Sequence, residues 1–494
     1  EGKIPALINQ ARMISNFRVI VVGGGVAGLT ASHALQQAGI DHVVLERSSE
    51  VAPPVGASIA IYPHGARILS QMGCLDAARA ACHPCDRFIT RGPDGKVWSN
   101  SRFFRNVRDN HGHDILLLER RQFLQILYDG LPDKSFLRLG CRVRDVTEDS
   151  DGVEVVLDDG TVERGDLVLG CDGVHSLVRQ RMWELANQQN KKLQDEEQTS
   201  MVTRWKCLVG MGPPVAPEAL GEHDMTVVHD NGCSFLFLTQ PDKLFFFVFV
   251  RLERHHHELD GSGQPRRKRR YTDADAEAVA DSFAGHPICE RLVFGDIWRK
   301  RTRGSLISLE EGVLQHWSHG RIVLAGDSVH KVTPNIALGG NSAMESIVVL
   351  CNHLAQTVAA HQGARLSRAT LGKVFRQYQR DRVQRVRGIM ELSSLITRVQ
   401  AWDGIVPKFV ACWVLPFQAD HKLTDQLGEL IRKAPKLDYV QVGRGFAQGR
   451  LPWEGEKNGH ALDKGKTMMS WASKSAVYLA GCLIALVLAY RLVA

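Results

Sequence analysis

What this 494-residue sequence lacks narrows its reading first. Its net charge of +7 is spread along the chain, with no basic arm of interleaved aromatics, so no nucleic-acid partner is expected. No Ser-His-Asp or Cys-His signature of nucleophilic catalysis stands out. The 11 cysteines are an odd number without a framework, which fits reduced thiols facing the cytosol and not a disulfide scaffold. Cys82-x-x-Cys85 has neither a thioredoxin-like surrounding nor a second pair to complete a zinc site, and reads as two thiols in a loop. His255-His256-His257 reads as solvated loop, and no metal is expected. No secretory signal is read, and residues 1–12, ahead of Met13, read as an extension.

What is present is a folded composition, 44% hydrophobic and 23% charged, on a chain long enough for two domains. It is organised around Phe17–Glu46. A β-branched run, Phe17 to Val22, reads as a buried strand. It enters Gly23-x-Gly25-x-x-Gly28, then an Ala-rich helix, then a strand ending on Glu46. Gly23 permits the tight turn, Gly25 lets backbone approach a pyrophosphate, and Gly28 lets helix and strand pack closely. The helix N-terminus offers free N–H groups to phosphate, and Glu46 is placed to accept from a ribose. Strand, glycines, helix, strand and acid in this order predict a dinucleotide site. There is one such motif only, since Gly210-x-Gly212 runs into Pro213-Pro214 and opens no helix. A second bound dinucleotide therefore has no Rossmann domain of its own.

Further strands are expected at Ile115–Leu118, Cys141–Thr147, Val153–Leu157 and Leu167–Gly170. The last leads into Asp172-Gly173-x-x-Ser176-x-x-Arg179. From 201 to 307 alternating, phenylalanine-rich strands predict an inserted antiparallel sheet. Arg266–Arg270 lies in a charged loop and reads as solvated. A buried strand returns at Arg321–Ala325 and feeds Gly326-Asp327-x-x-His330-x-x-x-Pro334, Gly339-Gly340 and a helix. The resulting division is an extension over 1–12, a dinucleotide domain over 13–200 and 308–395, and the sheet domain over 201–307. A helical hydrophobic region over 396–453, a linker over 454–474 and a terminal hydrophobic helix over 475–494 follow. Ala476–Tyr490 carries no charge, and Ser475–Ala494 reaches a spanning length if Arg491 snorkels. It is expected to be a membrane anchor, with the catalytic domain on the cytoplasmic side, on the endoplasmic reticulum as one candidate. A buried C-terminal helix is the alternative.

Together the three motifs resemble those of the group A FAD-dependent monooxygenases of the para-hydroxybenzoate hydroxylase fold, over roughly residues 15–395. The resemblance implies an α/β fold with a Rossmann-type FAD domain assembled from separated segments. It implies non-covalent FAD, with Gly23, Gly25, Gly28 and Glu46 at the ADP part. Asp172 would support both FAD and visiting NADPH, Asp327 the ribityl chain, and Gly339-Gly340 the isoalloxazine. Arg120, or else Arg121, would meet FAD from the turn before a helix. Ala60, also counted as a cofactor contact, and Ala337 stand where the family often has glycine. The chemistry implied is reduction of FAD by NADPH, addition of O2 as a C4a-hydroperoxyflavin, and oxygen transfer, with no catalytic side chain assigned.

Within the family, the C-terminal hydrophobic segment and Gly-Asp-Ser-Val-His-Lys are most similar to membrane-associated epoxidases of fungal meroterpenoid and indole-diterpene pathways. An apolar prenylated substrate, O2 and membrane lipid are then the expected partners. The competing readings are a soluble hydroxylase of phenol or salicylate type and a flavin-containing binding protein without chemistry. The hydrophobic C-terminus disfavours the first, and the intact motifs disfavour the second.

Overall fold

The computed structural model describes residues 16–54, 56–188, 197, 200–252 and 271–455. The extension over 1–12, the loop with His255–His257 and Arg266–Arg270, most of the expected linker and the expected anchor over 475–494 lie outside the described residues. Among the described residues no helix is long and apolar enough to cross a membrane.

Strand Arg18–Val22 is the centre of a six-stranded sheet, flanked by Leu167–Gly170 and Asp41–Leu45, both parallel to it. Its apolar residues run continuously because both faces are covered, as a parallel sheet requires. Ile322–Leu324 extends the sheet beside Leu167–Gly170, again parallel. The domain is thus assembled from segments some 300 positions apart in the chain. Helix Val26–Gln37 crosses over and packs on helix Gly339–Ala360, whose first turns are almost wholly buried. Val143–Glu148, Val153–Leu157 and Val162–Gly165 form a three-stranded meander at its side.

The second sheet is eight-stranded and wider than the expected 201–307. Met201–Gly212, Cys233–Gln240 and Lys243–Arg251 lie within it as anticipated and Asp224–Asp230 joins them, but Arg303–Val313 runs past residue 307 and His330–Lys331 pairs beyond it. Arg87–Arg91 and Val97–Ser101, from the first segment, complete the opposite edge. Those two strands are polar and short, so they carry little alternation to read. Period-two alternation divides the phenylalanines between the two faces. Phe246, Val248, Phe235 and Phe237 turn to helices Asp273–Ser282 and Phe294–Arg299, with Phe246 ringed by Phe294 and Trp298 at 5.9 Å each. Phe245, Phe247 and Phe249 turn the other way, into a cluster shared with Tyr62, Leu117 and Leu338 of the first domain.

Helix Arg368–Gln400, 33 residues long, joins the two halves. Ser367 caps it, accepting from Thr370 N at 3.1 Å. Its early turns bury Leu371, Phe375 and Tyr378 in the dinucleotide domain, and later turns bury Ile389, Ser393 and Thr397 nearer the sheet. Between them Arg382 and Arg385 grip the fully buried Glu345 at 2.6 and 2.7 Å. Burial opposes charge on Glu345, but the two guanidiniums outweigh it and hold its carboxyl far below the usual range.

The region expected to be helical over 396–453 is helical only to Arg432. Residues 433–455 form an irregular strap back across the first domain, because their backbone groups find side-chain partners there. Gln71 Nε2 donates to Leu437 O (2.7 Å) and Val440 O (2.6 Å), and Gln71 Oε1 accepts from Leu437 N. Tyr439 donates to Ala34 O at 2.9 Å, and the Arg67 guanidinium lies 4.4 Å over the Trp453 ring.

Candidate functional site

The motif loops gather at the carboxyl ends of the parallel strands, where open α/β sheets place their ligands. Gly23 follows Val22 with φ +104°, and a Cβ there would lie 2.6 Å from Cys171 O. A Cβ on Gly28 would lie 1.8 Å from Gly23 O, so no side chain fits. Gly25 differs: nothing lies within 4 Å of its would-be Cβ. It is also the residue before helix Val26–Gln37, and no side chain caps that helix. Open space thus meets the exposed N–H groups of a helix start, as a pyrophosphate requires.

Glu46 ends the second strand with both oxygens tied to backbone, Oε2 accepting from Gly24 N at 2.6 Å and Oε1 from Ser48 N at 2.8 Å. Each oxygen keeps a second lone pair for another donor. Gly24 went unremarked in the sequence, yet a Cβ there would strike Glu46 Cβ at 2.9 Å. The middle glycine of the triplet therefore seats the acid.

Arg120 opens helix Arg120–Asp129, its N–H donating to Ala57 O at 3.0 Å. Burial lowers its pKa, opposed by the nearby charges of Asp327 and Glu46. The structure thereby brings together an arginine and two carboxylates from three separate stretches. Arg121, left as an alternative, is exposed.

Asp172 is turned mostly inward. Ser176 Oγ donates to it at 2.5 Å and Val178 N at 3.1 Å, so its carboxylate caps helix Leu177–Gln188. Burial raises its pKa, with those hydrogen bonds opposing. Its link to the glycine loop is through backbone, since the Asp172 Cα lies 3.0 Å from the position of a Gly23 Cβ. Arg179 donates to Ser328 O (2.8 Å) and Val174 O (2.7 Å), stitching this motif to the next.

Asp327 sits on the turn Gly326–Ser328, which follows the buried strand Ile322–Leu324, and pairs with Lys331. Burial works against the Lys331 charge, but Asp327 outweighs it and raises the pKa above the ordinary lysine value. Gly326 lets this turn lie on helix Val26–Gln37, its would-be Cβ 3.2 Å from Ala27. His330 beside it is buried and shares a hydrogen bond with Ser346 Oγ at 2.8 Å. Burial drives its pKa down to about 3, so it is neutral.

Gly339 and Gly340 begin helix Gly339–Ala360. A Cβ on Gly340 would meet Ile59 at 2.7 Å, while that of Gly339 meets only Val332 at 3.6 Å. Asn341, whose role was not legible, holds the surrounding backbone. It donates to Ala60 O (2.9 Å) and Ala337 O (3.0 Å) and accepts from Tyr62 N (3.0 Å). Ala60 lies in strand Ser58–Ile61, paired with Leu117. Ala337 takes the left-handed conformation, φ +51°, that glycine supplies without strain. From the other side Thr333 shares hydrogen bonds with Ser393 (2.7 Å) and Thr397 (2.8 Å), and Asn335 donates to Gln400 at 2.7 Å.

Facing this loop is the sheet face of Phe245, Phe247, Phe249, Leu236, Leu238 and Trp205, one apolar cluster with Tyr62, Val332 and Leu338. At its margin Glu119, the residue before Arg120, pairs with Arg303 of the sheet. Among the described residues no group of His, Cys, Asp and Glu is placed to hold a metal.

Known proteins share both the sequence and the arrangement. A family model described as FAD binding domain matches residues 16–205 and 251–392. The chain is 42% identical over 442 residues to the FAD-dependent monooxygenase DEP2 of Alternaria brassicicola, covering 89% of this chain and 82% of that one. It is 35% identical over 438 residues to the FAD-dependent monooxygenase atmM of Aspergillus flavus, covering 88% and 89%. Among solved structures, Klebsiella pneumoniae HpxO complexed with FAD and uric acid superposes with a TM-score of 0.67 at 22% identity, over 85% of this chain and 97% of that one. The last likeness shows the fold.

Proposed function

This chain belongs to the FAD-dependent monooxygenases built on the FAD binding domain, and from that premise we propose that it epoxidises an alkene of an apolar, prenylated precursor in fungal secondary metabolism, using NADPH and O2. FAD, once reduced, supplies the oxygen-transfer chemistry. The chain's own residues bind and orient it. The open flank of Gly25 and the uncapped helix start would receive the pyrophosphate. Glu46, fixed by Gly24 and Ser48, would accept from the adenosine ribose. Asp327, paired with Lys331, would accept from the ribityl hydroxyls, with Arg120 near both acids. Backbone at Gly339-Gly340, beside Ala60 and Ala337 that Asn341 holds, would border the flavin ring. Asp172 acts as a brace of these loops.

The observation that carries the substrate class is the apolar sheet face opposite Ala60, Ala337 and Leu338. Its buried, apolar side chains suit a hydrocarbon and offer a small carboxylate no partner. The test is mass spectrometry of products from the full-length protein with NADPH and prenylated aromatics. The expected result is one added oxygen with loss of the alkene. Ring hydroxylation with the alkene intact would install the aromatic hydroxylase in its place. We propose in addition that residues 475–494 anchor the chain in a membrane with the catalytic part in the cytoplasm. The support is the uncharged run Ala476–Tyr490. Full release by alkaline carbonate would overturn the anchor.

A further inference from the structure

The segment after the long helix is folded, helical and apolar on its outside. Ile405–Phe409 is α-helical, Val410–Val414 a π-turn and Leu415–Phe417 a 3-10 turn. From Gly404 to Phe417 its single charge is Lys408. Ile405 is 90% exposed, Val406 49% and Trp413 67%. Ala411 turns in, with Val410, Cys412 and Leu415 packed partly behind it, to a small cluster with Val399 and Trp402 that is separate from the three main cores. Single exposed hydrophobics are ordinary, but this many on one short protruding segment are not.

We propose that Ile405–Trp413 inserts into the interfacial zone of a lipid bilayer. The backbone there is helical, which leaves fewer polar groups open than a loop would, as contact with lipid favours. An indole and a lysine are the side chains that suit the headgroup level, apolar in body and polar at the tip. Lys408 already folds over the Trp402 ring at 4.5 Å. The flanking acids are engaged elsewhere, Asp403 with Arg251 and Asp420 with Arg102 N at 2.8 Å. A protein partner fits less well, because a standard interface uses about 20–30 residues a side and this segment offers a few protruding side chains. The uncharged run Ala476–Tyr490, beyond the described residues, gives the same chain a second lipid-compatible stretch, although the insertion of Ile405–Trp413 does not depend on it.

The segment follows directly on Thr397 and Gln400, which hold Thr333 and Asn335 at the candidate site. A lipid-borne substrate would therefore arrive beside the loop it must reach. That last step rests on the apolar substrate proposed above; the lipid contact does not.

The experiment uses full-length protein with vesicles of phosphatidylserine and brominated phosphatidylcholine, reading tryptophan quenching. Trp471→Phe first removes the indole nearest the expected anchor. In that background Trp413→Phe should abolish roughly half of the remaining quenching, with FAD absorbance unchanged to show that the fold is intact. Equal quenching with and without Trp413 overturns the proposal. So does a Trp413 difference spectrum that is blue-shifted and shielded from acrylamide before vesicles are added, which would mean coverage by the chain's own C-terminal segment or by a second copy. Quenching at Trp413 without quenching at Trp471 would sustain this contact and count against the anchor, so the two failures are distinguishable.

Discussion

The half-buried loops at the strand ends and the buried sheet face opposite them tolerate change in opposite ways. In the loops, position is set by backbone: a single carbon at Gly23, Gly24 or Gly28 collides with an atom that cannot move aside. On the sheet, position is set by volume, and any well-shaped apolar residue serves as long as it stays on its face. A cofactor of fixed shape suits the first kind of surface, and the bulky apolar substrate proposed above would suit the second.

Phe246 and Phe247 test the second half most strongly. Phe246→Ala empties a site enclosed by Phe294 and Trp298 and should cost about 3–5 kcal/mol in chemical denaturation. Phe247→Ala, one residue on but facing the loop, should cost less and change KM and product pattern more. Equal profiles for the pair would erase the distinction between the faces. Gly28→Ala tests the first half: one methyl group, directed at Gly23 O, should cost about 3 kcal/mol and abolish the flavin absorbance of the purified protein. An added carbon would then nearly equal a deleted ring.

Acid should weaken the fold through its buried histidines. His64 and His330, buried beneath the loops, are pushed down to about 3, mainly by burial. Because their folded pKa values lie below the unfolded value of about 6.5, their stabilisation is full above that pH and is lost as pH falls through it. Each should remove about 1.4 kcal/mol between pH 7.5 and 5.5. Melting at the two pH values, with His330→Asn reducing the difference by its share, measures this. Ala337→Gly should have the smallest effect, a gain of roughly 0.5–1 kcal/mol from relieving the left-handed alanine at φ +51°, read as a raised melting temperature.

The glycine motif was legible because its requirements are local and backbone-determined, and Glu46 because strand length delivers it. The returning strand Ile322–Leu324 was legible from its apolar run, and the glycine loop after it from composition. Strands Arg87–Arg91 and Val97–Ser101 were not, since they are half-polar and their alternation is broken by a register shift at Thr90/Arg91. The strap over 433–455 was hidden for another reason: it has no periodicity, and its partner Gln71 lies 366 residues away. Gly24 and Asn341 became readable only through what their neighbours require. The capping role of Asp172 was obscured because the same residue type serves a cofactor or a helix start equally well.

The strap has a consequence for biosynthesis. Helix Pro63–Gln71 is made early, yet the amide of Gln71 receives its partners only when Leu437 and Val440 have left the ribosome. The central strand likewise waits for Leu167–Gly170, and that strand for Ile322–Leu324. At ordinary elongation rates the wait is on the order of tens of seconds. Throughout it, strands that end as a buried parallel sheet have open edges and greasy faces. Such a nascent chain depends on shielding until the strap closes over the helix that carries Gln71.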